Sequence, residues 1–345
     1  MLLLLTRTSL PWHATLQGCE IDTNSSAGFA QALTAAGRAD VIVVVLGLIT
    51  CQERGPQCQE AEAHDRVSIG MPGQQLNLLQ QLVTSSNGSA AELVLVLMSG
   101  SGVSVPFAAH NVDTIIQHFY PGEEGGSGLA DVLFGAIAPA GRMPVSVPAK
   151  PSQLASYLDM HMDHKPGRTH RYFDSTEAGE MLWGFGYGMT TTEFQYSGLS
   201  VNKTATAVVA SVRLTNTGNR TSDEVCQVYS ELATNRGLAA SPPLQELQAF
   251  QRVAQVAPGA SVSLWFEVPL KQLELMDMAG KLRVLPGSYT IWVGGRAPTG
   301  KERRNSGRIH TVTIHRGRAS PMGAPHRPLS TSFVIDGDDA DGEGL

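Results

Sequence analysis

A series of buried-strand patterns constrains the fold of this chain more than any other feature of its sequence. Val41–Leu46 and Leu93–Met98 are uninterrupted apolar runs, and Thr114–Phe119 is a third, more mixed run. The first two are rich in aliphatic residues and do not alternate with polar ones, which is typical of strands covered on both faces. The pattern therefore predicts a sheet that is buried between layers of other structure.

Helical patterns flank these strands. Residues 26–38 and 73–84 place apolar side chains at helical spacing, and residues 128–134 fit a shorter helix. Strands that alternate with helices predict a three-layer α/β sandwich with a mostly parallel sheet. Right-handed crossovers bring the carboxyl ends of such strands to one edge, where the sites of these sheets usually lie.

The periodicity changes to two after about residue 190. Alternating strands are predicted at residues 207–214, 225–229, 261–268 and 287–293, separated by turn signals such as Ala257-Pro-Gly-Ala260. Short strands spaced in this way predict an all-β, immunoglobulin-like sandwich. We therefore predict an α/β domain over residues 1–190, a sandwich over 191–316, and a disordered acidic tail over 317–345.

Charge and targeting signals limit the partners and the compartment. With 25 basic and 31 acidic side chains the net charge is −6, which argues against nucleic acid and anionic membranes. No apolar run reaches the roughly 20 residues of a membrane helix, and the leucines after Met1 are too few for a signal peptide. Acceptor triplets for glycosylation nevertheless favour a secreted, extracellular protein whose signal peptide is not present in this sequence. They begin at Asn24, Asn87, Asn202 and Asn219.

The stretch after the first strand, residues 51–66, carries the densest group of reactive side chains. The acidic and basic candidates are Glu60, Glu62, His64, Asp65 and Arg66. A carboxyl group that is partly desolvated can protonate a leaving oxygen, so either glutamate is a candidate general acid/base. An Asp65–Arg66 pair would brace the loop, and an extended backbone would aim both glutamates to one side. The residue types alone also fit a solvated charged loop.

Other chemistries find little support in the sequence. His64 has no second His or Cys at metal-binding spacing, so neither a metal nor another cofactor is predicted. Residues 99–102 lack the Lys and the glycine spacing of a phosphate-binding loop, and they are too short for a nucleophile elbow. Cys51 and Cys58 bracket a short polar stretch and fit a disulfide or two free thiols about equally.

A set of short motifs follows in order along the chain: Glu60-Ala-Glu62-Ala-His-Asp65-Arg66, Pro72-Gly-Gln-Gln75, Leu97-Met-Ser-Gly100, Tyr120-Pro-Gly-Glu-Glu-Gly-Gly126, Ala130-Asp-Val-Leu-Phe-Gly135, Pro139-Ala-Gly-Arg-Met-Pro144, Pro166-Gly-Arg-Thr-His-Arg-Tyr172 and Phe185-Gly-Tyr-Gly188. This ordered set resembles glycoside hydrolase family 3, most closely its β-xylosidase-like branch. The sandwich resembles the family's fibronectin type III-like module through Asn216-Thr-Gly218, Asp223-Glu-Val225, Leu247–Val253, Pro258-Gly259 and Gly287-Ser-Tyr289.

The resemblance implies the C-terminal part of a retaining, exo-acting β-glycosidase, whose two catalytic carboxyls stand about 5–5.5 Å apart. It implies that Glu62, or second Glu60, is the acid/base, and that His64, Asp65 and Arg66 bind an oligosaccharide or β-glycoside. The family's (β/α)8 barrel, which carries the nucleophile, is expected to precede this chain. The isolated chain is then predicted to be inactive and to pack against that barrel or self-associate. A catalytically inactive homologue that binds glycans or partners remains the alternative. The loop over residues 48–59 is longer than is usual in the family.

Overall fold

The computed structural model of the chain describes residues 2–5, 13–50, 59–86, 91–232, 238, 240–304 and 329–335. The chain divides into two compact units. The first unit contains Met1–Phe134 and Ala149–Pro151, and the second contains Gly135–Pro148 and Ser152–Leu345. The domain boundary near residue 190 stays a prediction, because contacts group most of residues 135–190 with the sandwich.

The first unit is built on a five-stranded sheet with the order β2-β1-β3-β4-β5. The strands are β1 Leu2–Leu5, β2 His13–Leu16, β3 Val41–Gly47, β4 Glu92–Met98 and β5 Thr114–Gln117. Strands β3, β4 and β5 are parallel to one another, as the buried-strand patterns predict. The expected α/β class is confirmed.

In the described part of this unit, the helices that accompany the sheet are α1 Phe29–Ala36, α2 Gln75–Ser86, α3 Pro106–Asn111 and α4 Gly125–Leu133. Helix α1 buries Phe29, Ala32 and Ala36. Helix α2 buries Leu78, Leu79, Leu82 and Val83 on one face. The three-to-four-residue spacing of these side chains is the reason the two segments form helices that pack through a single apolar face.

The leucines at the start of the chain form a strand, which sequence reasoning did not anticipate. Strand β1 is antiparallel to β3, with Leu2 opposite Val44 and Leu5 opposite Val41. It is also antiparallel to β2. A four-residue apolar run is too short to signal a strand by itself, so its pairing with the long β3 edge decides its structure.

The second unit contains the sandwich strands and several short helices. The helices are α5 Thr169–Tyr172, α6 Ser175–Ala178 and α7 Gly300–Arg304, with a 3₁₀ turn at Leu270–Leu273. Another 3₁₀ turn, Pro151–Gln153, begins in the first unit and ends in the second. The strands are β6 Phe194–Lys203, β7 Ala207–Asn216, β8 Ser222–Leu232, β9 Glu246–Val256, β10 Ser261–Pro269, β11 Glu274–Met276, β12 Leu282–Val284, β13 Gly287–Gly294 and β14 Leu329–Ile335.

Two antiparallel sheets, β10-β7-β6 and β14-β13-β8-β9, form the sandwich. Their inward side chains alternate with outward ones, as in the exposed-to-buried pattern of β10, and together they make one apolar core. The core includes Phe194, Val212, Leu214, Val228, Leu264, Phe266, Tyr289 and Ile291. The all-β part of the predicted fold is thus confirmed.

Strand β14 corrects the expectation of a wholly disordered tail. Its backbone pairs antiparallel with β13, Gly287 opposite Ile335 and Val293 opposite Leu329. The seven residues are mostly β-branched, aromatic or serine, and they match a long open edge of β13. Residues 305–328 and 336–345 lie outside the described residues. No helix in the described part of the chain is long and apolar enough to cross a bilayer.

Candidate active site

The carboxyl edge of the parallel sheet is fixed by one buried amide. The Gln75 side chain, 2% exposed, accepts a hydrogen bond from the Gly47 amide at 2.7 Å. It donates to the carbonyls of Gly47 at 2.8 Å and Ile21 at 2.9 Å. Gly47 has a φ of 153°, and a Cβ there would lie 1.8 Å from the Met98 carbonyl oxygen. Strand β3 therefore ends, and the following loop begins, at a defined place.

The loop returns to the same edge at Gln59 and Glu60. Their amides donate to the Ile49 carbonyl at 3.4 and 3.3 Å, and Glu60 forms a bridge with Thr50. These contacts place Glu60 beside the carboxyl end of β3. Residues 51–58, between Thr50 and Gln59, lie outside the described residues, and with them Cys51 and Cys58, for which a disulfide and two free thiols were equally expected.

A tight turn separates the two candidate glutamates. The His64 amide donates to the Ala61 carbonyl at 3.1 Å, and Ala63 adopts a positive φ of 57°. The backbone is therefore not extended across this motif, so the condition under which Glu60 and Glu62 would point to one side is not met. The turn sends their side chains into different environments.

Glu60 is held by donors from the ends of two neighbouring strands. Its Oε1 accepts a hydrogen bond from the Tyr120 hydroxyl at 2.5 Å and another from the Gly100 amide. Its Oε2 accepts from the Ser101 hydroxyl at 2.5 Å. Gly100 and Ser101 follow β4, whereas Tyr120 follows β5, so one carboxylate joins all three loops of the parallel sheet's edge.

These donors decide the charge of Glu60. Partial burial raises its pKa, but the hydrogen bonds from Ser101, Tyr120 and Gly100, together with the positive charge of Arg66, lower it below the ordinary value. The pKa of Tyr120 is raised, both by burial and by the hydrogen bond that its hydroxyl donates to Glu60. Hydrogen bonds to a carboxylate stabilise its ionised form, so Glu60 is an anion that anchors the loop.

Arg66 supports this anchor in a different way from the one predicted. Its Nη2 donates to the Gly102 carbonyl at 2.8 Å, and its charge acts on Glu60. Asp65 is exposed, and no described residue forms an ion pair or hydrogen bond with its carboxylate. The expected Asp65–Arg66 brace is thus replaced by an Arg66–Glu60 interaction across the loop. Nη1 of Arg66 is buried and finds no partner among the described residues.

Glu62 stands in contrast on the outer side of the turn. Its side chain is exposed, and none of the residues that the structure describes donates a hydrogen bond to it. His64 is half-buried and closes the turn through its backbone. A carboxylate in this position is free to meet a ligand, while Glu60 beside it is not.

A cleft of about 230 Å³ opens beside the anchor. It is lined by the end of β3, by Gln75 and Met98, and by Tyr120, the residue that donates to Glu60. Cys19 also contributes to its wall, and partial burial raises the pKa of that thiol. Cys19 and Cys226 are both free thiols. The edge of the sheet therefore combines a rigid anion with accessible space.

Two family models match the chain. The glycosyl hydrolase family 3 C-terminal domain matches residues 7–191, which is more than half of the sequence. The chain belongs to this family. A fibronectin type III-like domain also matches residues 224–297, so both resemblances that the motifs predict are confirmed.

Curated relatives of this family 3 chain are glycosidases. The probable exo-1,4-beta-xylosidase bxlB of Aspergillus fumigatus is 34% identical over 316 residues, which cover 83% of this chain and 39% of the relative. The periplasmic beta-glucosidase of Salmonella typhimurium is 32% identical over 276 residues, covering 76% and 34%. The chain thus spans between a third and two fifths of the length of these relatives.

Solved structures of family 3 enzymes share the fold. A GH3 exo-beta-xylosidase (XlnD), in complex with a xylobiose aziridine activity-based probe, matches with a TM-score of 0.69 and 28% identity. That match covers 81% of this chain and 38% of the other. The Bifidobacterium adolescentis GH3 beta-glucosidase matches with a TM-score of 0.72 and 26% identity, over 95% of this chain and 44% of the other.

Sequence reasoning about the family 3 motifs missed the residues that hold Glu60. Gly100 ends one of the quoted motifs and Tyr120 begins another, but neither was given a role. The available signal was their position, because each follows the carboxyl end of a predicted parallel strand. Ser101 carried no signal beyond its neighbours.

Proposed function

We propose that this chain is the C-terminal part of a retaining, exo-acting β-glycosidase of the β-xylosidase type, and that Glu62 is its acid/base. The observation that carries the proposal is the contrast on one loop between Glu60 and Glu62. Three donors hold Glu60 as an anion, whereas Glu62 is exposed and unengaged by any described residue.

The required chemistry favours Glu62 over Glu60. An acid/base must gain and lose a proton in each turnover, and its efficiency depends on changing charge easily. Every donor to Glu60 opposes protonation, since a hydroxyl or amide that donates to a carboxylate stabilises the charged form. Glu62 has no such donor within the described residues and can be desolvated by the substrate itself. Glu60 then serves as the anchor that positions the turn bearing Glu62.

In the proposed reaction, Glu62 first donates its proton to the glycosidic oxygen while a carboxylate nucleophile attacks the anomeric carbon. The ionised Glu62 then takes a proton from the water that hydrolyses the glycosyl-enzyme intermediate. The nucleophile comes, as the family resemblance implies, from a (β/α)8 barrel, with the two carboxyls about 5–5.5 Å apart. His64, Asp65 and Arg66, which follow Glu62 in the same loop, are proposed to contact the sugar.

The proposed function also implies a partner domain and a cellular compartment. Ile49, Val67 and Tyr120 are exposed apolar side chains on the loops of this edge, which supports packing against the proposed barrel. Asn24, Asn202 and Asn219, the acceptors of three glycosylation triplets, are exposed. Together with the periplasmic name of one relative, this supports a secreted glycoprotein that acts in carbohydrate catabolism.

A chimera tests the assignment of the two glutamates. In it, this chain replaces the matching C-terminal part of the Aspergillus fumigatus relative, and turnover is measured on β-xylosides with good and poor leaving groups. We expect Glu62→Gln to lower kcat on poor leaving groups by about 10²–10⁴-fold, the usual worth of general acid/base catalysis. Azide should restore turnover only in this variant. Glu60→Gln is the matched control, and its loss should be similar for all leaving groups. The reverse pattern would refute the assignment.

The isolated chain provides a second test. With half of the carboxyl pair, it should not hydrolyse aryl β-xylosides or β-glucosides above the buffer rate. Turnover that Glu62→Gln abolishes would show that a nucleophile is present and would overturn the proposal. Calorimetric titration with xylo-oligosaccharides distinguishes this proposal from the alternative function. Tight binding without hydrolysis would favour an inactive homologue that binds glycans.

A further inference from the structure

A second cluster of reactive side chains lies in the sandwich unit, on the segment that precedes α5. Asp159 Oδ1 is 2.9 Å from Nδ1 of His161, and Asp159 Oδ2 is 2.9 Å from Nδ1 of His164. The two imidazole rings stack with their centroids 3.9 Å apart and an angle of 18° between their planes. One carboxylate therefore faces two imidazoles at the same time.

The arrangement has the dimensions of a metal site. One ligand atom from each residue lies within 4.8 Å of the others. Around a tetrahedral Zn²⁺, with bonds of about 2.0–2.2 Å, neighbouring ligand atoms stand about 3.3 Å apart. Small side-chain rotations bring three donors that already converge to that spacing. Imidazole nitrogen with one carboxylate oxygen is also a donor set that zinc accepts and that Mg²⁺ and Ca²⁺ do not favour.

The surrounding backbone is fixed before any ion binds. The Arg168 guanidinium donates to the carbonyls of Ser156, at 2.6 Å, and of Asp159. The Arg168 amide donates to the Met162 carbonyl at 2.8 Å, and the Gly167 amide donates to the His164 carbonyl at 2.8 Å. The His161 amide donates to Asp159 Oδ1 at 3.0 Å. These bonds hold the loop in the shape that brings the three side chains together, which lowers the entropic cost of binding.

We propose that Asp159, His161 and His164 form a zinc-binding site, in which a water molecule completes the coordination. The site would hold the loop between Ser156 and Arg168 in place. It belongs to the sandwich unit, whereas the residues assigned to glycosidase chemistry belong to the α/β unit. The sequence signal is the spacing Asp-x-His-x-x-His. The expectation of no metal site was based on His64 alone, which belongs to the other unit.

Calorimetric titration of the full chain with ZnCl₂, without a histidine tag and after treatment with EDTA, tests the proposal. We expect one zinc ion per chain. The double variant His161→Ala/His164→Ala should bind it at least 100-fold more weakly. His110→Ala is the matched control, because His110 is an exposed histidine in the other unit whose Nδ1 lies 2.8 Å from the Pro106 carbonyl. Its affinity should equal that of the wild type.

Arg168→Lys tests the preorganisation separately, since it leaves all three ligands in place. Loss of the residues that orient ligands typically costs about 10–100-fold in metal affinity, and we expect a fall in that range. X-ray absorption at the zinc edge of the wild-type chain needs no variant and should show two imidazole ligands at about 2.0–2.1 Å. Absence of stoichiometric binding, a spectrum without imidazole, or a double variant that binds as tightly as the wild type would overturn the proposal.

Discussion

Glu60 in the α/β unit and Glu224 in the sandwich unit both accept a hydrogen bond from a tyrosine and face an arginine, yet their pKa values move in opposite directions. Glu224 accepts from the Tyr196 hydroxyl at 2.7 Å and from Nη2 of Arg142 at 2.6 Å. Its side chain is fully buried, and that burial raises its pKa despite Arg142 and Tyr196. Glu60 is only half-buried, and its hydrogen-bond donors lower its pKa by more than burial raises it.

The difference shows how solvent decides what a well-bonded carboxylate can do. At the edge of the sheet, water still reaches Glu60, so each donor adds to the stability of the anion. Inside the sandwich unit, the loss of hydration destabilises the Glu224 anion more than Arg142 and Tyr196 stabilise it. The Arg142–Glu224 pair is best understood as a device that fixes geometry, because Arg142 also donates to the Gly295 carbonyl at 3.1 Å. Glu60, in contrast, fixes the position of three loops and also remains ionised.

The largest effect should come from leaving Glu224 alone in the interior. Arg142→Met removes its charged partner, and breaking one side of a buried ion pair costs about 3–5 kcal/mol. The free energy of unfolding of the sandwich unit can be measured by urea denaturation followed by tryptophan fluorescence, since Trp183, Trp265 and Trp292 lie in this unit. A loss below about 1 kcal/mol would mean that the pair is not desolvated as the structure indicates.

Two controls sharpen this prediction. In Arg142→Met/Glu224→Gln the neutral amide can still accept from Tyr196, and replacing both charges should recover most of the loss. Lys165→Ala breaks the exposed pair with Glu177, whose side chains are 66% and 59% exposed. It should change stability by no more than about 1 kcal/mol.

A smaller loss is expected from Glu60→Gln. The amide cannot take the charge-assisted bonds of the carboxylate, each of which is worth about 1.5–3 kcal/mol when well shielded. Because Glu60 is half-exposed, we expect the α/β unit to lose about 1–2 kcal/mol in total. Hydrogen exchange of the β4 amides measures this loss. No change there, or a change confined to the sandwich, would contradict the anchor role.

Removal of one donor at a time should have a still smaller effect. Ser101→Ala and Tyr120→Phe each delete one hydroxyl that donates to Glu60, and each should cost about 1 kcal/mol. Each should also raise the pKa of Glu60, because a bond that stabilises the anion is lost. NMR titration of the Glu60 carboxyl carbon reads this directly. Thr34→Ala, on the exposed face of α1, is a matched hydroxyl deletion that should leave the titration unchanged.

The finest distinction is the sign of the pH dependence. The pKa of Glu60 is depressed by folding, so its contribution is fully present above the unfolded value, about 4.3, and is lost as pH falls through the folded value. The pKa of Glu224 is raised, so its ionised form destabilises the fold above that raised value, and stability is regained as pH falls through it. The stability differences of Glu60→Gln and Glu224→Gln from wild type should therefore change with pH in opposite directions. If the two stability differences changed with pH in the same direction, the opposite pKa shifts of Glu60 and Glu224 would be contradicted.

Local patterns predicted most of the elements but not the long-range contacts of the site. The strands β3, β4 and β5 and the loop with the two glutamates follow from the local apolar pattern and from charge. The positive φ of Ala63 has no local signature, since alanine rarely adopts it. The donors to Glu60 lie 40 to 60 residues away, and Arg142 lies 82 residues from Glu224. Such pairings arise only from the assembled sheet and sandwich.

Strand β14 protects the edge of β13 from pairing with other molecules. It occupies the outer position of its sheet, beside β13, whose residues Tyr289, Ile291 and Val293 belong to the core. A version of the chain that stops at Arg304 would leave the backbone amides and carbonyls of β13 open along that side. Open edges recruit strands from other molecules. Strand β14 thus protects the solubility of the sandwich, and its removal would favour edge-to-edge aggregation before it affected any chemistry.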